Sequence, residues 1–275
     1  MDKKYITLIG HDNRTLILEN LLIQNGYSVD RIINKESLSK ASFYKTIILP
    51  IPYSDVSGKI KGTDFSLSDV ACKLTPYNFL IFGKKDSAFL DIAQRIGFDY
   101  IDLNDDMCFK TLNAIPSAEA AIGIAAEQSK STLFDSNIMV CGYGCIAKCL
   151  VKILNGYGAN ITVAARKKSD HAEAAYYGCK VTDFNNINNF ISDCDIIFNT
   201  CPAMILSKDV LDHVKKSCII VDLASHPGGC DFAYAEKIGL NAKLYLKLPD
   251  KYAPKSSGES LYKVISSIIS LQESN

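Results

Sequence analysis

The 275-residue chain has no excess charge of either sign: 30 Lys and Arg balance 30 Asp and Glu. It has no basic tail and no Lys/Arg block, so nothing favours nucleic acid or an anionic membrane surface as a partner. A neutral chain can still hold a local basic pocket. No apolar run approaches the ~18 residues that would suggest a membrane span. The start, MDKKYITLIGHDNR, has an apolar run too short for a signal segment. A cytoplasmic protein is expected. Cysteine is not scarce, with ten residues, but no pair has C-x-x-C spacing. Most of the ten sit in apolar runs, and no secretory signal is visible. They are therefore expected to be reduced, buried small hydrophobes, with no metal site. A P-loop is absent, since G-K-[ST] does not follow the first strand.

What is present is a globular composition, 48% hydrophobic and 22% charged, with ample apolar material for a core. Short apolar, β-branched runs alternate with helix-period segments. Strands are expected at 5–9, 29–33, 46–52 and 79–83, and helices at 13–25 and 87–96. An Ala-rich linking helix is expected over 116–128, with Ser117 near its start as a cap. The pattern then restarts. Strands are expected at 137–141, 160–165, 195–199 and 218–223, with weaker ones at 180–182 and 243–246. Helices are expected at 145–157, 171–177 and 258–271. Alternation of this kind implies βαβ units on parallel sheets. The fold class is α/β: an N-terminal flavodoxin-like domain over 1–112 for substrate or partner, then the linking helix and a Rossmann NAD(P)-binding domain over 113–255, with a cleft between them. A last helix over 256–275 is expected to pack back toward the first domain. In such sheets ligands bind beyond the carboxyl ends of strands, so the loops there are the candidate sites.

The strongest of these loops is Gly142-Tyr143-Gly144-Cys145-Ile146-Ala147, between an apolar strand and a helix. In a dinucleotide turn the first Gly makes the tight bend. The second admits the pyrophosphate. The third position must be small for helix and strand to pack, and Ala147 meets that need. Cys145 and Ile146 would offer amides at the helix N-terminus. Three glycine-like positions alone would also suit a plain tight turn. About 20 residues on, an Asp or Glu would favour NAD; here stand Ala165, Arg166, Lys167, Lys168 and Ser169. Arg166 can stack on adenine and pair with a 2′-phosphate, and Lys167 and Ser169 add donors. NADP(H) is expected over NAD(H), the alternative being a solvated charged loop.

Two further loops carry polar groups at strand ends. Asn199, Thr200 and Pro202 lie where a Rossmann domain meets the nicotinamide ribose, or else form a turn closed by Pro202. Asp222 ends an apolar strand before Ala224-Ser225-His226-Pro227-Gly228-Gly229. There Asp222 is a cofactor candidate, Ser225 a hydroxyl donor, and His226 the general acid or base candidate. Successive amides around Gly228-Gly229 would form an anion-binding nest, and Ala224 is a further substrate-contact candidate. An exposed loop histidine is the alternative for His226; His11, His171 and His213 look like surface or turn residues. In the first domain Arg14 could reach a carboxylate, unless this segment only caps a helix through Asp12 or Asn13. Ser117 and Glu119 suit a cleft and a plain helix start equally well.

Taken in order, G-x-D-x-R at 10–14, N-x-I-P-[ST]-x-E at 113–119, the glycine turn at 142–147, A-R at 165–166, N-T-x-P at 199–202, D-L-A-S-x-P-G-G-x-D-F-x-Y-A at 222–235 and A-P-x-[ST]-[AS]-G at 253–258 resemble the family of dipicolinate synthase A subunits over essentially the whole length. The 222–229 segment is the most specific part. The sequence departs from the family pattern at Ala147, which replaces the third glycine, and in several cysteines. The resemblance implies a mother-cell enzyme of sporulating bacteria, acting with the flavoprotein-like B component of dipicolinate synthase. It implies NAD(P)-dependent oxidation of a dihydrodipicolinate-type cyclic dicarboxylate to dipicolinate, on a fold similar to alanine and D-2-hydroxyacid dehydrogenases. Arg14 and the 225–229 and 254–258 loops would offer donors to such a dicarboxylate. Two alternatives remain: a 2-hydroxyacid or alanine dehydrogenase-like oxidoreductase, disfavoured because no arginine follows Arg166, and a nucleotide-binding, non-catalytic component of a complex. The sequence also permits a homo-oligomer.

Overall fold

The computed structural model describes residues 4–274 and divides into two units, Met1–Asn113 with Ala253–Asn275, and Ala114–Tyr252. In the first unit β1 (Lys4–Ile9), β2 (Tyr27–Ile32), β3 (Thr46–Ile48), β4 (Phe79–Phe82) and β5 (Asp99–Asp102) form one all-parallel sheet in the order β2-β1-β3-β4-β5. This is the flavodoxin-like order, and its switch point falls between β1 and β3. Alternate residues feed two cores. Ile9, Ile47, Leu80 and Phe82 join one with Phe65, Phe89 and Phe98. Ile6, Leu8, Ile48 and Ile81 join the other with Leu18, Leu22 and the helix Pro254–Ser274. A parallel sheet covered on both faces needs this double burial.

The strand expected over 46–52 is shorter in the structure. Pro50 and Pro52 lack ladder donors, and the Ile51–Pro52 bond is cis. Strand β5 and the short helices α2 (Lys35–Lys40) and α3 (Leu67–Ala71) add to the elements that periodicity indicates. They accompany α1 (Asn13–Gln24) and α4 (Ser87–Ile96). Helix α5 runs Met107–Ser129, well before the expected start, because the Phe109 amide donates to the Asp106 carboxylate at 2.6 Å and begins the helix there. Ser117 is thus buried inside α5 and is not a cap. The 254–258 segment is likewise no loop. Pro254 opens the C-terminal helix, where its missing amide costs nothing. A β-carbon on Gly258 would lie 2.5 Å from Ile17 and 3.1 Å from the Arg14 carbonyl oxygen, so this glycine serves packing.

The second unit has six parallel strands, β6 (Asn137–Cys141), β7 (Asn160–Ala164), β8 (Lys180–Thr182), β9 (Ile196–Asn199), β10 (Ile219–Asp222) and β11 (Asn241–Leu244), in the order β11-β10-β9-β6-β7-β8. This is the dinucleotide-binding order, with the crevice between β6 and β9. Ile138, Val140, Phe198 and Val221 face one core; Met139, Cys141, Ile197 and Ile220 face the other. Helix α6 (Cys145–Gly156) follows β6 and packs Ala147, Leu150, Val151 and Leu154 inward. Helix α7 is Lys168–Tyr176, starting three residues before the expected 171. All ten cysteines are free thiols. Among the described residues no helix is long and apolar enough to cross a membrane, and no group of three or more His, Cys, Asp or Glu could hold a metal ion.

Candidate functional site

The glycine turn lies at the β6–β9 switch point. Gly142 has φ +95°, a left-handed conformation that favours glycine. A β-carbon there would collide with the Thr200 hydroxyl and come within 2.8 Å of the Cys201 sulfur. Gly144 is the N-cap of α6, and no side chain caps that end. The first-turn amides of Cys145, Ile146 and Ala147 have no intrahelical acceptor. A β-carbon on Gly144 would meet no atom within 4 Å, so the space over the helix end is open. Ala147 is fully buried between helix and sheet. An open glycine at an uncapped helix end, beside a glycine with no room for a side chain, fits a pyrophosphate.

Beside the turn is a cavity of about 220 Å³, walled by Gly142, Tyr143 and Gly144, by Ala165, Arg166 and Lys167 from the end of β7, and by Asp170, Phe184 and Cys201. Arg166 is exposed and, among the described residues, makes no hydrogen bond or ion pair. The His171 ring contacts the Ala165 carbonyl oxygen at 2.8 Å, so this histidine supports the strand end rather than standing free. Ser169 is exposed in the first turn of α7 and does not wall the cavity. Burial raises the Tyr143 phenol to about 12, with Glu173 adding to the shift. The Lys148 ammonium lies 5.4 Å from the Tyr143 ring and 2.8 Å from the Glu173 carboxylate.

On the β9 side the Thr200 amide and hydroxyl both donate to the Cys141 carbonyl, at 2.9 and 2.8 Å. Asn199 is fully buried; its Nδ2 donates to the Cys201 carbonyl at 2.9 Å and its Oδ1 accepts from the Cys201 amide at 3.1 Å. Both side chains therefore shape the switch-point loop, and Pro202 is exposed beyond them. Burial pushes the Cys201 thiol up, and the charge of Arg166 partly offsets it.

The 222–229 loop differs from expectation. Asp222 is fully buried; its Oδ1 accepts from the Ala224 amide at 2.9 Å and its Oδ2 from the Gly229 amide at 2.8 Å. The Gly228 amide donates to the Ser225 carbonyl at 2.9 Å across the cis His226–Pro227 bond. The amides of Ala224, Gly228 and Gly229 are thus all consumed inside the loop, so the expected anion nest is not formed. Gly229 is instead a packing glycine, against Asn199 and the carbonyls of Cys201 and Ala203. Asp222 organises the loop. Ser225 and His226 remain exposed at its tip.

In the first unit the loop after β1 is built around Asp12. This carboxylate caps α1 by accepting from the Thr15 amide at 2.8 Å, and the Asp12 amide donates to the Thr15 hydroxyl at 2.8 Å in return. Its Oδ2 also accepts from Lys61 at 2.7 Å and Arg14 at 3.1 Å. Burial alone would raise the Asp12 carboxyl, but Arg14 and Lys61 outweigh it and hold it below its ordinary range. Arg14 is buried, its guanidinium also donates to the Ile51 carbonyl after β3, and its Nε–H is buried without a partner. Of the two possibilities for this segment the cap is present, through Asp12, and the carboxylate that Arg14 reaches here is that of Asp12 itself. His11 is exposed, with its Nδ1 2.8 Å from Arg31.

Sequence reasoning misses Tyr143, Asp170, Phe184 and Cys201 as cavity walls and Lys61 as the second partner of Asp12. Lys61 gives no local signal, since it is 49 residues from Asp12. Asp170 and Phe184 come from separate elements.

Residues 118–226 match the family described as D-isomer specific 2-hydroxyacid dehydrogenase, NAD binding domain. The chain is 33% identical over 230 residues to the A subunit of dipicolinate synthase from Bacillus subtilis (strain 168), covering 82% of this chain and 77% of that protein. Its fold matches the crystal structure of the dipicolinate synthase A chain from Bacillus subtilis with a TM-score of 0.89 at 26% identity, over 100% of this chain and 98% of that one. It matches the corresponding protein from Bacillus halodurans with a TM-score of 0.87 at 25% identity, over 96% and 97%.

Proposed function

The chain belongs to the family of dipicolinate synthase A subunits, and on that premise we propose that it oxidises a dihydrodipicolinate-type cyclic dicarboxylate to dipicolinate with NADP+, acting with the B component of the synthase in the sporulating mother cell. A dehydrogenase-type NAD-binding domain and this membership make it an oxidoreductase. The observation that carries the proposal is the open, uncapped helix end at Gly144 beside an unpaired Arg166. Helix amides and glycine backbone would hold the pyrophosphate, and Arg166 with Lys167 would hold a 2′-phosphate.

Aromatising a dihydropyridine removes one hydride and one proton. When bound, the nicotinamide supplies the hydride acceptor. The chain must orient the dicarboxylate and take the proton. Arg14 is assigned the orienting role because Asp12 and the Ile51 carbonyl fix its guanidinium after β1 while its Nε–H has no partner, and a guanidinium can present a planar fork to a carboxylate. His226 is the proposed proton acceptor, because its imidazole is exposed in the loop after β10 and has a ring nitrogen that can take a proton. Ser225 is a neighbouring hydroxyl donor. Residues 1–112 are assigned to substrate and partner, and the flavoprotein-like B component is the expected partner.

The test is dipicolinate formation by the chain alone and with the B component, with NADP+ and NAD+ in parallel. Product with NADP+ supports the proposal. A B component that works without nucleotide or this chain's site would point to a non-catalytic role, and tighter NAD(H) binding would remove the NADP+ assignment. The H226A protein is expected to lose on the order of 10²-fold in turnover; unchanged turnover eliminates His226.

A further inference from the structure

Asp170 occupies the first turn of α7 and is half-buried. It walls the same cavity as Arg166 and Lys167, and of the lining residues it alone brings a carboxylate. Among the described residues, that carboxylate has no hydrogen bond and no ion pair. The neighbouring acid, Glu173, is held by Lys148 at 2.8 Å and is not comparably available. A first-turn aspartate has one ordinary reason to exist, the favourable field of a helix N-terminus. That reason does not require it to wall a cavity between the glycine turn and Arg166.

With the pyrophosphate over the glycine turn, the adenosine ribose of a dinucleotide falls at the end of the second strand of the unit, here β7. We infer that Asp170 is a specificity-determining residue that opposes Arg166 and Lys167 at the ribose 2′ position, so that this cavity takes both nicotinamide dinucleotides and the balance between them depends on the Asp170 charge. The chemistry differs for the two ligands. A ribose diol donates two hydroxyl hydrogens, which an unpaired carboxylate accepts. A 2′-phosphate brings up to two negative charges, which the carboxylate repels and the guanidinium attracts. The Phe184 ring on the same wall carries no charge and does not distinguish the two. The inference rests on the nucleotide reading of the cavity.

The experiment measures binding of NADPH and NADH, and of the half-ligands adenosine 2′,5′-bisphosphate and 5′-AMP, to the full chain and to D170N, D170S and R166A. Thermal unfolding of each variant shows that the fold persists; serine, a good residue near a helix start, serves if the asparagine variant does not fold. In D170N the preference ratio is expected to move about tenfold toward the 2′-phosphorylated member of each pair, with NADH weaker and NADPH tighter. In R166A it moves the other way. Both shifts shrink in high salt, because a half-exposed pair of charges is screened. If the wild type binds both nucleotides and folded D170N or D170S keeps the same ratio, the inference is overturned and the nucleotide reading stands. If the wild type binds neither nucleotide nor half-ligand, both fall.

Discussion

The carboxylate of Asp222 accepts from the amide of Gly229, seven residues on, at 2.8 Å. The other oxygen of Asp222 takes the Ala224 amide at 2.9 Å. One buried side chain thus sets the path of the loop that carries Ser225 and His226.

Replacing Asp222 by alanine leaves two buried amides without acceptors. The expected cost is about 2–4 kcal/mol of stability, from an unsatisfied-donor penalty of roughly 1–3 kcal/mol each with partial relaxation. Urea unfolding checks it. A loss under about 0.5 kcal/mol would show that water replaces the carboxylate.

Gly142 and Gly144 are separable. G142A forces a side chain into a φ of +95° and onto Thr200 and Cys201, so it should lower stability by about 1–3 kcal/mol. G144A has ordinary φ and open space, so its stability should change by less than about 1 kcal/mol. Its new methyl group stands where the pyrophosphate would pass, and nucleotide affinity should fall more than about tenfold. Paired calorimetry and thermal unfolding distinguish the two. A G144A protein with wild-type affinity would mean that no phosphate lies over that helix end.

The strands and the glycine turn are legible in the sequence because their signals are local. A β-branched run such as Ile219-Ile220-Val221 can only be a covered strand or a buried helix, and Asp222 followed by a glycine-rich loop decides for the strand. The D-Y-I-D of β5 escapes such a reading because its polar ends hide the pattern. The anion nest fails for the opposite reason. Its glycines suggest free amides, yet their acceptor is Asp222, which reads in sequence as a ligand contact. Phe184 is invisible because the cavity wall is assembled from several elements and no spacing rule connects it to the glycine turn, whereas Asp170, four residues past Arg166, reads locally as a plain first-turn acid of a helix. Lys61 could be placed beside Asp12 only by the fold.

Asp12 makes a pH prediction. Its folded-state carboxyl is held below its ordinary 3.8, so the native state binds fewer protons than the unfolded chain there. The stability this adds is fully present above the unfolded value and is lost as pH falls through the lower folded value. D12N removes that contribution. Unfolding midpoints taken from about pH 6 down to about pH 3 should fall more steeply in the wild type than in D12N. Parallel acid limbs would show that the Arg14 and Lys61 contacts do not favour the charged carboxylate.

Cys201 offers a chemical readout of the cavity. Burial raises its thiol above the ordinary range despite Arg166, so little thiolate exists at neutral pH. At about pH 7.5 an alkylating reagent should label exposed Cys72 and Cys108 first, and Cys201 several-fold more slowly. NADP(H) should slow Cys201 further, because the residue walls the cavity. Peptide mapping measures each rate. A Cys201 rate equal to that of Cys72, unaffected by nucleotide, would contradict the placement.

The double donation of Thr200 to the Cys141 carbonyl bears on the thermodynamics of ligand capture. It ties the β9 lip of the crevice to the end of β6, so a pyrophosphate bound there, as proposed, would enter a mould that is already formed. Little backbone freedom remains to be lost there. The ordering cost of binding then falls on long side chains such as Arg166 and Lys167, each of which gives up at most about 2 kcal/mol of rotamer entropy. On the proposed reading, half of the site is rigid and meets what all dinucleotides share, while the other half is soft and settles only on the part in which they differ.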